Sequence, residues 1–155
     1  MLAIFLAVLL THATCSLSQF SGLSPQDLDP AAALHGGNVT SLKAAYVKLR
    51  WLVDCGVCFV GHGLCSDFRA CDLVVPPSQI VDTVELFRIK TQRKLSLRYL
   101  AASVLGIDIQ SGSHDSIEDA RTALALYAAY RELQSTGTLE STIRDLYANA
   151  RMRKQ

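Results

Sequence analysis

An α/β domain is what this sequence predicts, on three observations. Apolar residues recur at helical spacing in some segments and run together as short strand-like blocks in others, and the two patterns alternate along most of the chain. Gly56, Gly106 and Gly137 fall where helical patterns stop, and Gly61 and Gly63 form a turn between a strand-like block and a helical one. Half of the 155 residues are hydrophobic, enough for one compact core. The formal net charge of +1 argues against a broadly basic nucleic-acid coat, so any such contact has to be local.

The elements follow in order. Leu42, Ala45, Leu49 and Leu52 mark a helix that stops near Gly56. Val57 to Val60 is a short apolar strand, the glycine turn follows, and Leu64 to Cys71 is a short helix carrying Asp67. Pro76-Pro77 makes a loop, after which Ile80, Val81, Thr83 and Val84 suggest a second strand or extended run, with Asp82 stabilising a turn. Ser96 caps a helix with apolar positions Leu97, Leu100, Ala101 and Val104. Asp115 and Glu118 have the spacing of a capping box, so a long helix begins near Ser116. Ile117, Ala120, Leu124 and Tyr127 give it an apolar stripe. A last helix spans Thr142 to Met152 with Ile143, Leu146 and Tyr147 facing inward. There is no internal repeat.

The candidate chemistry lies at the ends of these elements. His114 precedes the long helix by a short step and Asp119 lies in its first turn. A loop imidazole beside an anchored carboxylate suits water activation next to a metal ion, although both residues also fit an ordinary helix start. Asp67 adds a second acid just past the glycine turn.

Gly61-His62 with Asp67, and His114 with Asp119, resemble the second and third motifs of the histidine-containing DEDD 3′-to-5′ exonucleases, within the ribonuclease H-like superfamily. The segments Tyr46 to Arg50, Phe59 to Leu64, Asp67 to Arg69, Leu95 to Arg98 and His114 to Leu124 resemble the catalytic subunits of poly(A)-nuclease deadenylation complexes. The resemblance covers roughly residues 18 to 134. It implies a ribonuclease H-like exonuclease fold and a poly(A)-specific 3′-to-5′ exoribonuclease that shortens messenger RNA tails. Such an enzyme works with two divalent ions, Mg²⁺ or Mn²⁺, and a regulatory subunit. Hard carboxylate oxygens suit those ions, and two metals can serve the attacking hydroxide and the leaving oxygen together. The resemblance makes Asp67 and Asp119 metal-binding carboxylates and makes His114 the acceptor of the attacking water's proton. His62 is left outside the catalytic set, as a residue that shapes the turn.

The chain departs from the family in one respect. Two further acids are expected from an Asp-x-Glu on an earlier strand, and no Asp-x-Glu occurs upstream of Asp54. Asp27 and Asp29 sit between Pro25 and Pro30, where prolines favour a loop over a central strand. A fold truncated at its N-terminal side, and a weakened or inactive enzyme, are therefore expected. The alternative is a catalytically dead module that keeps the fold and binds RNA or protein.

Three segments are expected: an apolar stretch over 1–17, the exonuclease domain over 18–134, and a C-terminal helix with basic tail over 135–155. Met1 to Leu10 is a nearly unbroken apolar run without a preceding basic residue, too short to span a bilayer. It reads as a secretory signal, a replaced exon or a substitute strand. The expected location is cytoplasmic, extending to P-bodies and nucleus, with no membrane partner. A true signal would make the chain secreted, and the sequon at Asn38-Val39-Thr40 would then matter.

Five cysteines, among them Cys55, Cys58, Cys65 and Cys71, raise a four-thiolate zinc site, but no second Cys-x-x-Cys exists. Small buried hydrophobes are the better account. Arg88, Lys90, Arg93, Lys94 and Arg98 form a local basic group, read as a solvated face, with electrostatic guidance of RNA as the sharper alternative.

Overall fold

A computed structural model describes residues 42–109 and 115–152. His114, Asp27, Asp29, the apolar segment 1–17, the Asn38 sequon and the last basic residues lie outside the described residues.

The first described helix, α1, spans Leu42–Asp54 and turns Ala45, Leu49 and Val53 into the core, as their spacing dictates. It ends at a glycine, Gly56, with φ of 74°, a conformation that a side chain would oppose. Strand β1 is Phe59–Gly61, later and shorter than the apolar run suggested, so Cys58 lies before it and is exposed. Helix α2, Leu64–Ala70, follows the glycine turn directly. Strand β2, Ile80–Asp82, pairs with β1 in parallel, Phe59 opposite Ile80 and Gly61 opposite Asp82. The extended run therefore stops two residues earlier than the β-branched pattern implied. Asp82 caps the short helix α3, Thr83–Leu86, through its side chain, and capping overrides the strand preference of Thr83 and Val84.

Ser96 accepts from the Tyr99 N–H at 3.3 Å and opens α4, Leu97–Leu100, which continues as a π turn over Ala101–Leu105 to Gly106. Helix α5, Ser116–Ser135, starts where the capping residues placed it, with Asp115 Oδ1 accepting from the Ile117 N–H at 2.8 Å. Helix α6, Leu139–Met152, begins three residues before the predicted Thr142.

The apolar stripe of α5 needs correction. Ile117 and Leu124 are exposed, at 42% and 57%, whereas Thr122, Ala123 and Leu126 are buried. The inward line runs through 119, 122, 123 and 126, a rotation of the helix that periodicity could not distinguish because α5 is nearly as apolar on both faces. That rotation sets Asp119 at the head of the buried face.

Two apolar clusters make the core. Leu49, Val53, Phe59, Leu64, Phe68 and Leu73 form one, with Phe59 and Phe68 edge to face at 5.4 Å between ring centres. Phe87, Leu100, Leu126, Leu146 and Tyr147 belong to the other, which α6 completes. Tyr147 Oη accepts from the Ile89 N–H at 3.3 Å and donates to the Arg93 carbonyl at 3.0 Å, so α6 is pinned by hydrogen bonds as well as by apolar contact.

Of the cysteines, only Cys71 is a buried hydrophobe among the described residues; Cys55, Cys58 and Cys65 are exposed thiols. The strand starts too late to carry Cys58, and the outer face of α2 carries Cys65. The basic group is partly neutralised by neighbours. Arg88 donates to both oxygens of Glu85 at 3.0 Å, and Arg98 pairs with Asp108 at 3.3 Å.

Candidate active site

The site is built where the two strands end. Parallel pairing sets Gly61 beside Asp82, so the β1–α2 turn and the start of α3 meet at one edge. A side chain at Gly61 would force Leu64 to move. A Cβ would strike the Leu64 side chain, at 2.8 Å from Cγ and closer still to Cδ2. Gly63 has φ of 82° and no side chain with which to cap α2.

Asp67 lies one turn into α2, half-buried. Burial, and then the neighbouring Asp82 charge, push its carboxyl up from 3.8 to about 6. Asp119 lies in the first turn of α5, and α5 packs on β1. Its charge is felt at His62, the residue immediately after β1. Around the end of β1, Asp67 thus feels the charge of Asp82, and His62 feels those of Asp82 and Asp119. His114 lies outside the described residues.

His62 is held for structure. Thr83 Oγ1 donates to the Gly61 carbonyl at 3.0 Å and so accepts from His62 Nδ1–H at 2.9 Å. Burial lowers the His62 pKa against the opposing pull of Asp82, a Leu95 backbone hydrogen bond and Asp119.

The fit to a divalent ion is partial. Asp67 and Asp119 offer hard oxygens, and the cost of ionising Asp67 is what a bound cation would offset. Among the described residues, however, no group of three His, Cys, Asp or Glu side chains is placed to hold a metal. A groove of about 580 Å³ along β2 and α5, lined in part by Ile80, Val81, Tyr127, Tyr130 and Arg131, contains neither acid.

The Asp67 environment has a sign that can be checked. A carboxyl whose folded pKa of about 6 exceeds its unfolded value of 3.8 favours folding when neutral. Its contribution is fully present below about pH 4 and is lost as pH rises through 6. Melting of the metal-free chain between pH 4 and 8 is expected to show that loss, and Asp67→Asn to flatten it; a profile unchanged in the variant would contradict the assignment.

A family model described as Exonuclease matches residues 10–127. The chain belongs to the exonuclease family. It is 54% identical over 132 residues to the PAN2-PAN3 deadenylation complex catalytic subunit of Schizosaccharomyces pombe, covering 84% of this chain and 12% of that protein. The Homo sapiens counterpart is 49% identical over 139 residues, covering 87% of this chain and 11% of that protein. The chain therefore spans about one-ninth to one-eighth of the length of these relatives. The solved pseudoubiquitin hydrolase–RNA exonuclease module of Saccharomyces cerevisiae Pan2 with A7 RNA superposes with a TM-score of 0.81 at 40% identity, covering 89% of this chain and 23% of that one. These likenesses bear out the ribonuclease H-like exonuclease fold and the resemblance to deadenylase catalytic subunits. Dependence on a divalent metal comes with the family.

In the sequence Asp82 reads as a turn former, with assistance to substrate binding as the lesser alternative. Its spacing to Glu85 is itself a capping signal that predicts the cap on α3. The bonds it makes across to the β1–α2 turn leave no trace in sequence, because they join residues 18 and 19 positions apart.

Proposed function

We propose that this chain is the nuclease domain of a poly(A)-specific 3′-to-5′ exoribonuclease, an mRNA deadenylase. The identity of about half its residues to deadenylation-complex catalytic subunits carries the reading. Asp67 and Asp119 are its metal-binding carboxylates, with Mg²⁺ or Mn²⁺ as the ion. Bound divalent ions would supply an activated water and stabilise the leaving oxygen. Asp119, anchored by the buried face of α5, and Asp67, set one turn into α2, orient the donors. His114 takes the proton of the attacking water. The substrate is the poly(A) tail of messenger RNA, the partner a regulatory subunit of the deadenylation complex, and the location the cytoplasm, with P-bodies and nucleus as further sites.

With no Asp-x-Glu upstream of Asp54, hydrolysis by this chain is expected to be weak. The same missing Asp-x-Glu motivates a second reading, a module that keeps the fold and binds RNA or protein without turnover.

A 5′-labelled RNA ending in adenosines, incubated with Mg²⁺ and separately with chelator, separates the two. Stepwise shortening from the 3′ end that chelator abolishes supports the exonuclease; RNA bound but uncut by folded protein supports the binding module.

A further inference from the structure

Asp82 closes β2, and its carboxylate accepts three backbone N–H groups. Oδ1 takes Gly63 at 2.8 Å and Val84 at 3.0 Å, and Oδ2 takes Leu64 at 3.0 Å. The Val84 bond is an ordinary N-cap on α3. The other two cap a different helix. Gly63, at the N-cap of α2, has no side-chain oxygen to offer, so α2 draws its cap from the neighbouring strand. Next to Asp82, Thr83 donates to the Gly61 carbonyl and receives His62 Nδ1–H. The Asp82-Thr83 pair thereby grips every residue of the Gly61–Gly63 turn. Three of the roughly four lone-pair positions of the Asp82 carboxylate are taken by these amides, which leaves it poorly suited to ligate an ion.

From this geometry we infer that Asp82 is a positioning residue of the nuclease site: it fixes the start of α2 so that Asp67 is presented to a divalent cation. The inference rests on Asp67 being a metal-binding carboxylate. Outer residues that orient metal ligands are commonly worth ten- to hundred-fold in affinity. A cap that served stability alone would leave metal affinity untouched in a variant that still folds.

The test uses the 155-residue chain with Mn²⁺ as probe. Free Mn²⁺ is counted by electron paramagnetic resonance, and amide hydrogen exchange is followed at Gly63, Leu64 and Val84. Asp82→Ala is expected to weaken Mn²⁺ binding roughly ten-fold or more and to speed exchange at all three amides. Asp82→Asn keeps one oxygen. With that oxygen in the Oδ1 place, it is expected to protect Gly63 and Val84, expose Leu64 and restore part of the affinity. Tyr147→Phe, which loses two hydrogen bonds far from the site, is the stability control: a lower melting temperature with unchanged Mn²⁺ affinity. Equal affinity in folded Asp82→Ala and wild type would overturn the role of Asp82 alone. A wild type that takes up no Mn²⁺ would overturn the reading of Asp67, and the positioning role with it. Equal losses in Asp82→Ala and Tyr147→Phe would reduce Asp82 to a structural cap.

Discussion

Replacing Asp119 by alanine is expected to lower metal-dependent shortening of adenosine-ended RNA at least about a hundred-fold, the upper range that even residues outside the ligand set reach. Asp119 stands in the first turn of α5, in line with buried Thr122, Ala123 and Leu126, so its carboxylate is carried by an element that cannot rotate without opening the core. Alanine is the best helix former, and the lost interaction of an acid with the helix N-terminus is worth about 0.3–1 kcal/mol, so the fold should survive. Two measurements check this together: the initial rate of shortening with Mg²⁺ or Mn²⁺, and thermal unfolding of the same preparation. A variant that keeps the wild-type rate would remove Asp119 from the site. A large fall in melting temperature would assign it a structural duty instead.

Phe59→Ala is expected to cost about 3–5 kcal/mol, the usual range for emptying a buried phenylalanine site. Phe59 is fully buried in the middle of the first core cluster, and its ring meets Phe68 edge to face. An aromatic pair of that geometry contributes about 0.5–1.5 kcal/mol beyond the area it buries. A domain of this size holds a net stability of only about 5–15 kcal/mol, so the loss takes a large share. Phe68 also follows Asp67 on α2, and a cavity beneath it should loosen that helix and reduce metal binding as well. Urea unfolding of wild type, Phe59→Leu and Phe59→Ala would order the three. A cost below about 1 kcal/mol for the alanine variant would mean that the site collapses around the gap and that the cluster is less tightly built than its burial indicates.

The helix starts were legible because their signals are local. Ser96 and Asp115 bond to amides within three residues, so their effect is written in adjacent letters. The strand β1 was legible in existence and misplaced by two residues, since an apolar run does not say which of its members find a ladder partner. The face of α5 was not legible. Ile117, Ala120, Leu124 and Tyr127 satisfy helical spacing as well as Thr122, Ala123 and Leu126 do, and only packing against β1 and the neighbouring helices chooses between them. Cys55, Cys58 and Cys65 failed for the same reason, because a small apolar side chain is found on either side of an element and burial depends on what lies across from it.

The sequence by itself determined the α/β class, the helix starts at Ser96 and Asp115, the two acids at element ends, and the family they resemble. Each follows from residues close together in the chain or from motif spacing. The tertiary structure alone decided which face of α5 turns inward, that Asp119 is set near His62 at the end of β1, and that Asp82 caps α2 from another strand. These depend on parallel pairing of Gly61 with Asp82 and on side chains meeting across long loops, and no local propensity encodes a contact between residues that far apart.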